Sequence, residues 1–335
     1  MGFNLYAIYA LLAALLLVLV LGYIGVPLLK RLKMGQQVRD DGPKTHLSKA
    51  GTPTMGGIVM IIAVVIVTLA FSRGSFEFTW MALGVTLGFG FIGLVDDLII
   101  VVKKRSLGLK AYQKIIGQFV IALIIAYFAY RSPGIGSSLV VPFFGVEWNL
   151  GWWYIPFTAV AVVLIVNSVN LTDGLDGLAS SVTLVNAATF MVIFFGLYSM
   201  YLHSGAFAMA DGMSNMMVFS AALAGACIGF LRFNTHPAKV FMGDTGAFAL
   251  GGAIAIMVII SRMQLLLIIT GFMFLASSIS VILQVGSYKL RKVRIFKMAP
   301  LHHHFELKGV PETKIVTFYT LITLVLCLIG ILAVS

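Results

Sequence analysis

"LYAIYALLAALLLVLVLGYIGVPLL", residues 5–29, carries no charge at all, and the basic cluster "KRLK" follows it at 30–33. A helix needs about 20 apolar residues to cross the hydrocarbon of a bilayer, and this run exceeds that. It differs from a cleavable leader in two ways: no positive charge precedes it, and no small-residue cleavage site follows. With its basic cluster on the far side, it predicts a retained span whose N-terminus lies outside.

The pattern repeats through the chain. Of the 335 residues, 60% are hydrophobic and 10% charged, and the mean hydropathy is +1.03. Soluble domains carry about 25% charged residues, so this is an all-α polytopic membrane protein. Ten spans are predicted, near 5–29, 54–72, 79–97, 112–130, 152–170, 177–198, 215–231, 245–261, 264–288 and 314–334. Residues 1–335 then form one integral membrane domain. Cys227 and Cys327 lie far apart inside apolar runs, which argues against a disulfide or zinc framework. Residues 131–151, "RSPGIGSSLVVPFFGVEWNLG", place turn residues around short β-prone pieces and predict an outer hairpin. Trp148, Trp152 and Trp153 beside it suit an interfacial aromatic belt.

The basic residues fix the sides. With both termini on the outer face, twenty of the 23 Lys and Arg fall in cytoplasmic loops, leaving Arg73, Arg131 and Arg262. The cytoplasmic loops are then about 30–53, 98–111, 171–176, 232–244 and 289–313. Nine of the twelve acids share that face, although acids do not follow the positive-inside rule. Pairing with basic loops explains some of this, and a reaction site there explains the rest. The net charge of +11 gathered on one face suits anionic substrates and anionic membrane lipids, and no nucleic-acid partner is expected.

Four polar motifs end the spans on that face. "GLVDD", 93–97, holds Asp96 and Asp97, whose side chains point about 100° apart on a helix. One can face a metal or a phosphate while the other faces a lysine; an interfacial cap is the plainer alternative. "NSVNLTDGLDGLAS", 167–180, holds Asn170, Asp173 and Asp176 in a turn without Lys or Arg, where an ordinary helix–helix turn would explain only one Asp-Gly. "NTHPAKVFMGDTGAFALGG", 234–252, puts Asp244 and Thr245 at the start of a span. There, free backbone N–H groups favour a cap or an anion, and a carboxylate can anchor Mg²⁺. "MAPLHHHFELKGVPE", 298–312, holds His302, His303 and His304 in a basic loop, a composition suited to diphosphate; adjacent histidines rarely share one tetrahedral zinc.

In order and spacing, "GLVDD", "NLTDGLDGLA", "HPAKVFMGDTGA" and "APLHHHFE", together with "KAGTPTMGG" at 49–57, resemble the polyprenyl-phosphate N-acetylhexosamine-1-phosphate transferases along nearly the whole chain. "PLHHHFE" looks like the branch that takes a UDP-MurNAc-pentapeptide donor. The resemblance implies a ten-helix, usually homodimeric, Mg²⁺-dependent enzyme of the bacterial cytoplasmic (inner) membrane. It implies transfer of phospho-MurNAc-pentapeptide to undecaprenyl phosphate, which forms lipid I and releases UMP. Asp244 would hold Mg²⁺; Asp96 would deprotonate or orient the lipid phosphate, and Asp97 would complete the site with Lys114. Lys49, Thr54, Asn170, Asp173, Asp176, Phe241 and Gln284 would line the uridine and sugar side, and Asn234 and Gly243 would also bind substrate. His302, His303 and His304 would hold the diphosphate or stabilise leaving UMP. Because one phosphoanhydride replaces another, such a reaction depends on positioning and charge neutralisation.

Two alternatives have their own signatures. A sister transferase of GlcNAc-1-phosphate shares the aspartate motifs but is disfavoured by "APLHHHFE". A secondary transporter places its ionisable groups near the bilayer midplane on broken helices, whereas these lie at span ends.

Overall fold

The computed structural model describes residues 5–32, 51–103 and 108–334. Nine of the helices in these segments are long and apolar enough to cross a membrane: α1 (Leu5–Arg31), α3 (Glu77–Lys103), α4 (Ala111–Arg131), α5 (Tyr154–Thr172, entered through a 3-10 turn at Gly151–Trp153), α6 (Leu178–His203), α7 (Phe207–Asn234), α8 (Gly243–Ile260), α10 (Phe272–Arg291) and α12 (Glu312–Leu332). Helix α2 (Gly57–Phe71) is apolar but has only 15 residues, about 22 Å of helix. Two short helices, α9 (Leu267–Thr270) and α11 (Leu301–Glu306), complete the set.

The sequence places most spans within a few residues, and two regions depart from it. The run expected as one span at 264–288 breaks at Gly271 into α9 and α10. The expected span at 215–231 begins eight residues early, at Phe207, because "FAMADGMS" continues the helix despite its polarity. Asn215 then ties α7 to the α2–α3 turn: it accepts the Arg73 amide (2.8 Å) and donates to the carbonyls of Arg73 (2.8 Å) and Ser75 (2.7 Å).

Helix α8 forms the centre, with every residue from Thr245 to Ile260 buried. Its sequence, GDTGAFALGGAIAIMVII, is apolar on all sides, which suits a helix wrapped by other helices rather than by lipid. Small residues let its neighbours come close, as they do where helices pack without a hydrophobic drive. A side chain at Gly251 would press on the Val166 backbone of α5, and one at Gly93 of α3 would meet the backbone of Asp244 and Thr245.

At one end of the bundle lies the antiparallel hairpin predicted within 131–151. Strands β1 (Ser138–Val141) and β2 (Val146–Asn149) pair with Leu139 opposite Trp148. The hairpin is pinned to the helices by Val140 N–H to the Arg262 carbonyl (2.9 Å) and by Arg262 to Glu147 (2.5 Å). All four sequence motifs meet at the other end.

Candidate active site

The 100° between neighbouring helical residues sends Asp96 and Asp97 to different helices. Asp96 accepts the Leu109 amide (2.6 Å) and pairs with Lys114 at the start of α4 (2.8 Å). Asp97 turns to the N-terminus of α8, whose first amides have no partner within the helix. It accepts the N–H of Asp244 (3.1 Å), the N–H of Thr245 (2.9 Å) and the Thr245 hydroxyl (2.6 Å). Asp97 therefore caps α8 from another helix, and Lys114 reaches Asp96 and Asp244 rather than Asp97.

Asp244 has both oxygens engaged. Lys114 donates to Oδ2 (2.7 Å) and Asn170, near the end of α5, donates to Oδ1 (2.9 Å). Lys114 thus bridges two carboxylates with one ammonium, and both Lys114 and Asp244 stay about one quarter exposed while Asp96 is 1% exposed. The backbone shapes this corner. Gly243 has φ +76°, and a side chain there would strike Asp97, Thr54 and the Met55 amide. Segment 53–57 pairs along 241–242, through Phe241 N–H to the Pro53 carbonyl (2.8 Å), Gly56 N–H to the Phe241 carbonyl (2.9 Å) and Gly57 N–H to the Met242 carbonyl (3.0 Å). That pairing seats Thr54 and Phe241 beside the α8 terminus. Lys49 lies outside the described residues.

The turn between α5 and α6 forms a second wall. Asp173 follows α5, and burial together with the charges of Asp244, Asp97 and Asp176 pushes its carboxyl well above the usual range. Asp176 accepts the Ala238 amide (3.0 Å) and His236 (3.2 Å), while Glu312 accepts the Asp176 amide (2.5 Å) and pairs with the same histidine (3.3 Å). Asp176, His236 and Glu312 each offer one ligand atom, all within 4.8 Å of one another, so a candidate metal-coordinating cluster is present. Neither His236 nor Glu312 stands out in the sequence. The only signal for them was their place in two of the motif segments.

The histidine triplet is not uniform. His302 is fully buried, edge-on to His303 and Tyr319, and packs beneath Gly174 of the Asp-Gly turn. His303 pairs with Glu306 through Nδ1 (3.1 Å). His304 accepts the Lys297 amide at Nδ1 (3.1 Å), so its neutral form carries the proton on Nε2. Loss of solvation and then the charges of Lys308 and Lys297 hold its pKa below the ordinary value, keeping the ring neutral at pH 7.

Two residues expected to meet substrate have their amides engaged in scaffolding. Asn234 is buried; its oxygen accepts Gly177 N–H (3.1 Å) and the Ser180 hydroxyl (3.4 Å), and its nitrogen donates to the Val240 carbonyl (3.0 Å). Gln284 accepts the amides of Ile295 (3.0 Å) and Phe296 (2.9 Å) and donates to the Phe296 carbonyl (2.9 Å), folding the segment that leads to the histidines. Brace positions of this kind cannot be told from ligand contacts in sequence, because both call for an amide.

This fold and site define a multi-pass membrane enzyme of the class matched by the family model "Glycosyl transferase family 4", which covers residues 79–262. The "Phospho-N-acetylmuramoyl-pentapeptide-transferase signature 1" matches residues 49–61. A phospho-N-acetylmuramoyl-pentapeptide-transferase of Clostridium novyi is 48% identical over 327 residues, 97% of this chain and 96% of that one. Those of Clostridioides difficile (48%, 97% of each chain) and Caldanaerobacter subterraneus subsp. tengcongensis (44%, 98% of each chain) are similar over the same extent. The chain belongs to the phospho-N-acetylmuramoyl-pentapeptide-transferase family.

Proposed function

We propose that the chain transfers phospho-MurNAc-pentapeptide from UDP-MurNAc-pentapeptide to undecaprenyl phosphate, giving lipid I and UMP, the first membrane step of peptidoglycan synthesis. Near full-length similarity to several transferases of that name supports the reaction. The single observation that carries the site is the Asp244 carboxylate at the head of α8, held by Lys114 and Asn170 with Asp96 on the same ammonium.

The lipid phosphate is to be received between Lys114 and Asp96. Its second pKa is near 6, so at neutral pH much of it is already dianionic and Asp96 mainly orients it. Asp97, spent on three α8 donors, acts by placing Asp244. His304 offers an Nε2–H to the diphosphate and to departing UMP, while Asp173, its carboxyl raised by burial and by the charges of Asp244, Asp97 and Asp176, can donate a hydrogen bond to the nucleotide when it holds its proton. Thr54, Phe241 and Asp176 line the donor side, and Lys49 belongs to the same family motif.

Two donor sets fit a divalent ion differently. Mg²⁺ takes oxygen ligands, commonly one or two carboxylates completed by substrate phosphates, which matches Asp244. The Asp176–His236–Glu312 set includes an imidazole nitrogen, which suits Zn²⁺ or Mn²⁺-like ions better. Asp244 is therefore the proposed holder of Mg²⁺, which when bound neutralises charge on the diphosphate.

In the same reading there are ten spans, α2 being the tenth, and α9 and α10 share one. Both termini and the hairpin face outward, and the active site faces the cytoplasm of a bacterial inner membrane. The enzyme works as a homodimer among anionic lipids. The test is product analysis after incubating purified protein with UDP-MurNAc-pentapeptide, undecaprenyl phosphate and Mg²⁺. Lipid I and UMP in equal amounts are expected; turnover of UDP-GlcNAc alone would overturn the donor assignment.

A further inference from the structure

Lys114 must touch two carboxylates on two different helices, yet little of its own helix is buried there. Of Ala111–Ile121, the first three turns of α4, Gln118 is the one buried residue, and it is fully buried. Its carboxamide meets that of Asn167 on α5: Asn167 Nδ2 donates to Gln118 Oε1 (2.6 Å), and Gln118 Nε2 returns a longer contact to Asn167 Oδ1 (3.5 Å). Asn167 Nδ2 also donates to the Val163 carbonyl (2.8 Å), which fixes its rotamer.

The spacing gives this pair its meaning. Gln118 lies four residues after Lys114, and Asn167 three before Asn170, so each amide shares a helix face with an Asp244 ligand. The brace sits about one turn, roughly 5 Å, below the carboxylate that both helices hold. A leucine pair would tolerate sliding or rotation of α4. A directional pair of amides does not, because a shift of one residue moves the side chain 1.5 Å along the axis and 100° around it.

From this we infer that Gln118 and Asn167 are positioning residues for the proposed transfer: together they set the register of α4 against α5, so that Lys114 and Asn170 converge on Asp244. They touch neither substrate nor reacting atoms, and the inference rests on the reaction proposed above.

The experiment compares the unaltered chain with Q118L, N167L, Q118L/N167L, Q118N and Q118N/N167Q in detergent. Removing both amides leaves no orphaned polar group, so Q118L/N167L is expected to unfold at the temperature of the unaltered chain. Its kcat is expected to fall about tenfold, with KM for UDP-MurNAc-pentapeptide within about twofold, as for an interaction felt in the transition state. Without substrates, Lys114 should be acylated several-fold faster by an amine reagent, read by mass spectrometry, because its ammonium is no longer held between Asp96 and Asp244. Q118N shortens the reach by one methylene and should lose rate, and adding N167Q should restore most of it. Unchanged kcat and Lys114 labelling in Q118L/N167L would overturn the brace, as would failure of N167Q to rescue Q118N. An unaltered chain that releases no UMP would instead defeat the proposed reaction, while the labelling comparison still decides the brace.

Discussion

Two groups of carboxylates stand at the same end of the bundle, each gathered around one basic side chain, and they are built in opposite ways. Around Lys114, Asp244 comes from the first turn of α8 and Asp96 from within α3, about two turns before its end, and both Lys114 and Asp244 keep a quarter of their surface open. Around His236, which is 43% exposed, Asp176 and Glu312 are the buried partners, at 2% and 11%, and backbone amides share their oxygens. The first group exposes Asp244 in the first turn of α8, which is where the proposed function places the charged ligand. The second turns its acids inward onto His236 and backbone amides, joining the α5–α6 turn, the α7–α8 loop and the start of α12. An acid beside a basic side chain is thus not enough to assign a site; the two groups differ in which member faces outward and in what supports it.

The comparison breaks most easily at Asp244. Asp244→Asn keeps the shape and removes the charge that Lys114 and Asn170 hold. UMP release at saturating Mg²⁺ is expected to drop by about 10² to 10³, the scale of a lost electrostatic contact in a transition state. His236→Gln is the matched change in the other group. It should leave the rate within about threefold and lower stability by about 1 kcal/mol, as for a partly exposed hydrogen bond. If His236→Gln abolished turnover and Asp244→Asn did not, the roles of the two groups would be reversed.

The neighbouring aspartates sharpen the same contrast within one motif. Asp97→Asn loses charge-assisted caps on α8 and should lower unfolding stability by about 1–2 kcal/mol. Asp96→Asn should have the smaller effect on thermal unfolding but reduce lipid-dependent UMP release by about 10², the scale of a misplaced reactant. Equal losses of stability in the two variants would remove the distinction.

Much of this was legible beforehand, for definite reasons. Apolar runs and the Lys and Arg bias mark spans because the bilayer imposes a length and a charge asymmetry on any chain. The 100° step between Asp96 and Asp97 already implied two different targets. What the sequence could not show is which target: that Asp97 caps α8 and Asp96 takes Lys114 depends on the close crossing of α3 and α8 at Gly93. Nor could it separate Asn170, which holds Asp244, from Asn234 and Gln284, which hold backbone. The break at Gly271 was hidden because hydropathy averages across a kink without changing.

The smallest expected effect is also the most specific to the electrostatics of the donor side. Asp173 has its carboxyl raised well above the ordinary 3.8 by burial and by three neighbouring acids. The folded chain therefore holds this proton more tightly than the unfolded one. The contribution to stability is fully present below pH 3.8 and is lost as pH rises through the folded-state pKa. Asp173→Asn carries no such proton. Without substrates, the variant should gain in unfolding temperature relative to the unaltered chain as the pH is taken from 5 to 8. The opposite slope, with the variant losing ground as pH rises, would mean that Asp173 is ionised and paired in the folded chain, and its proposed role as a hydrogen-bond donor to the nucleotide would fall.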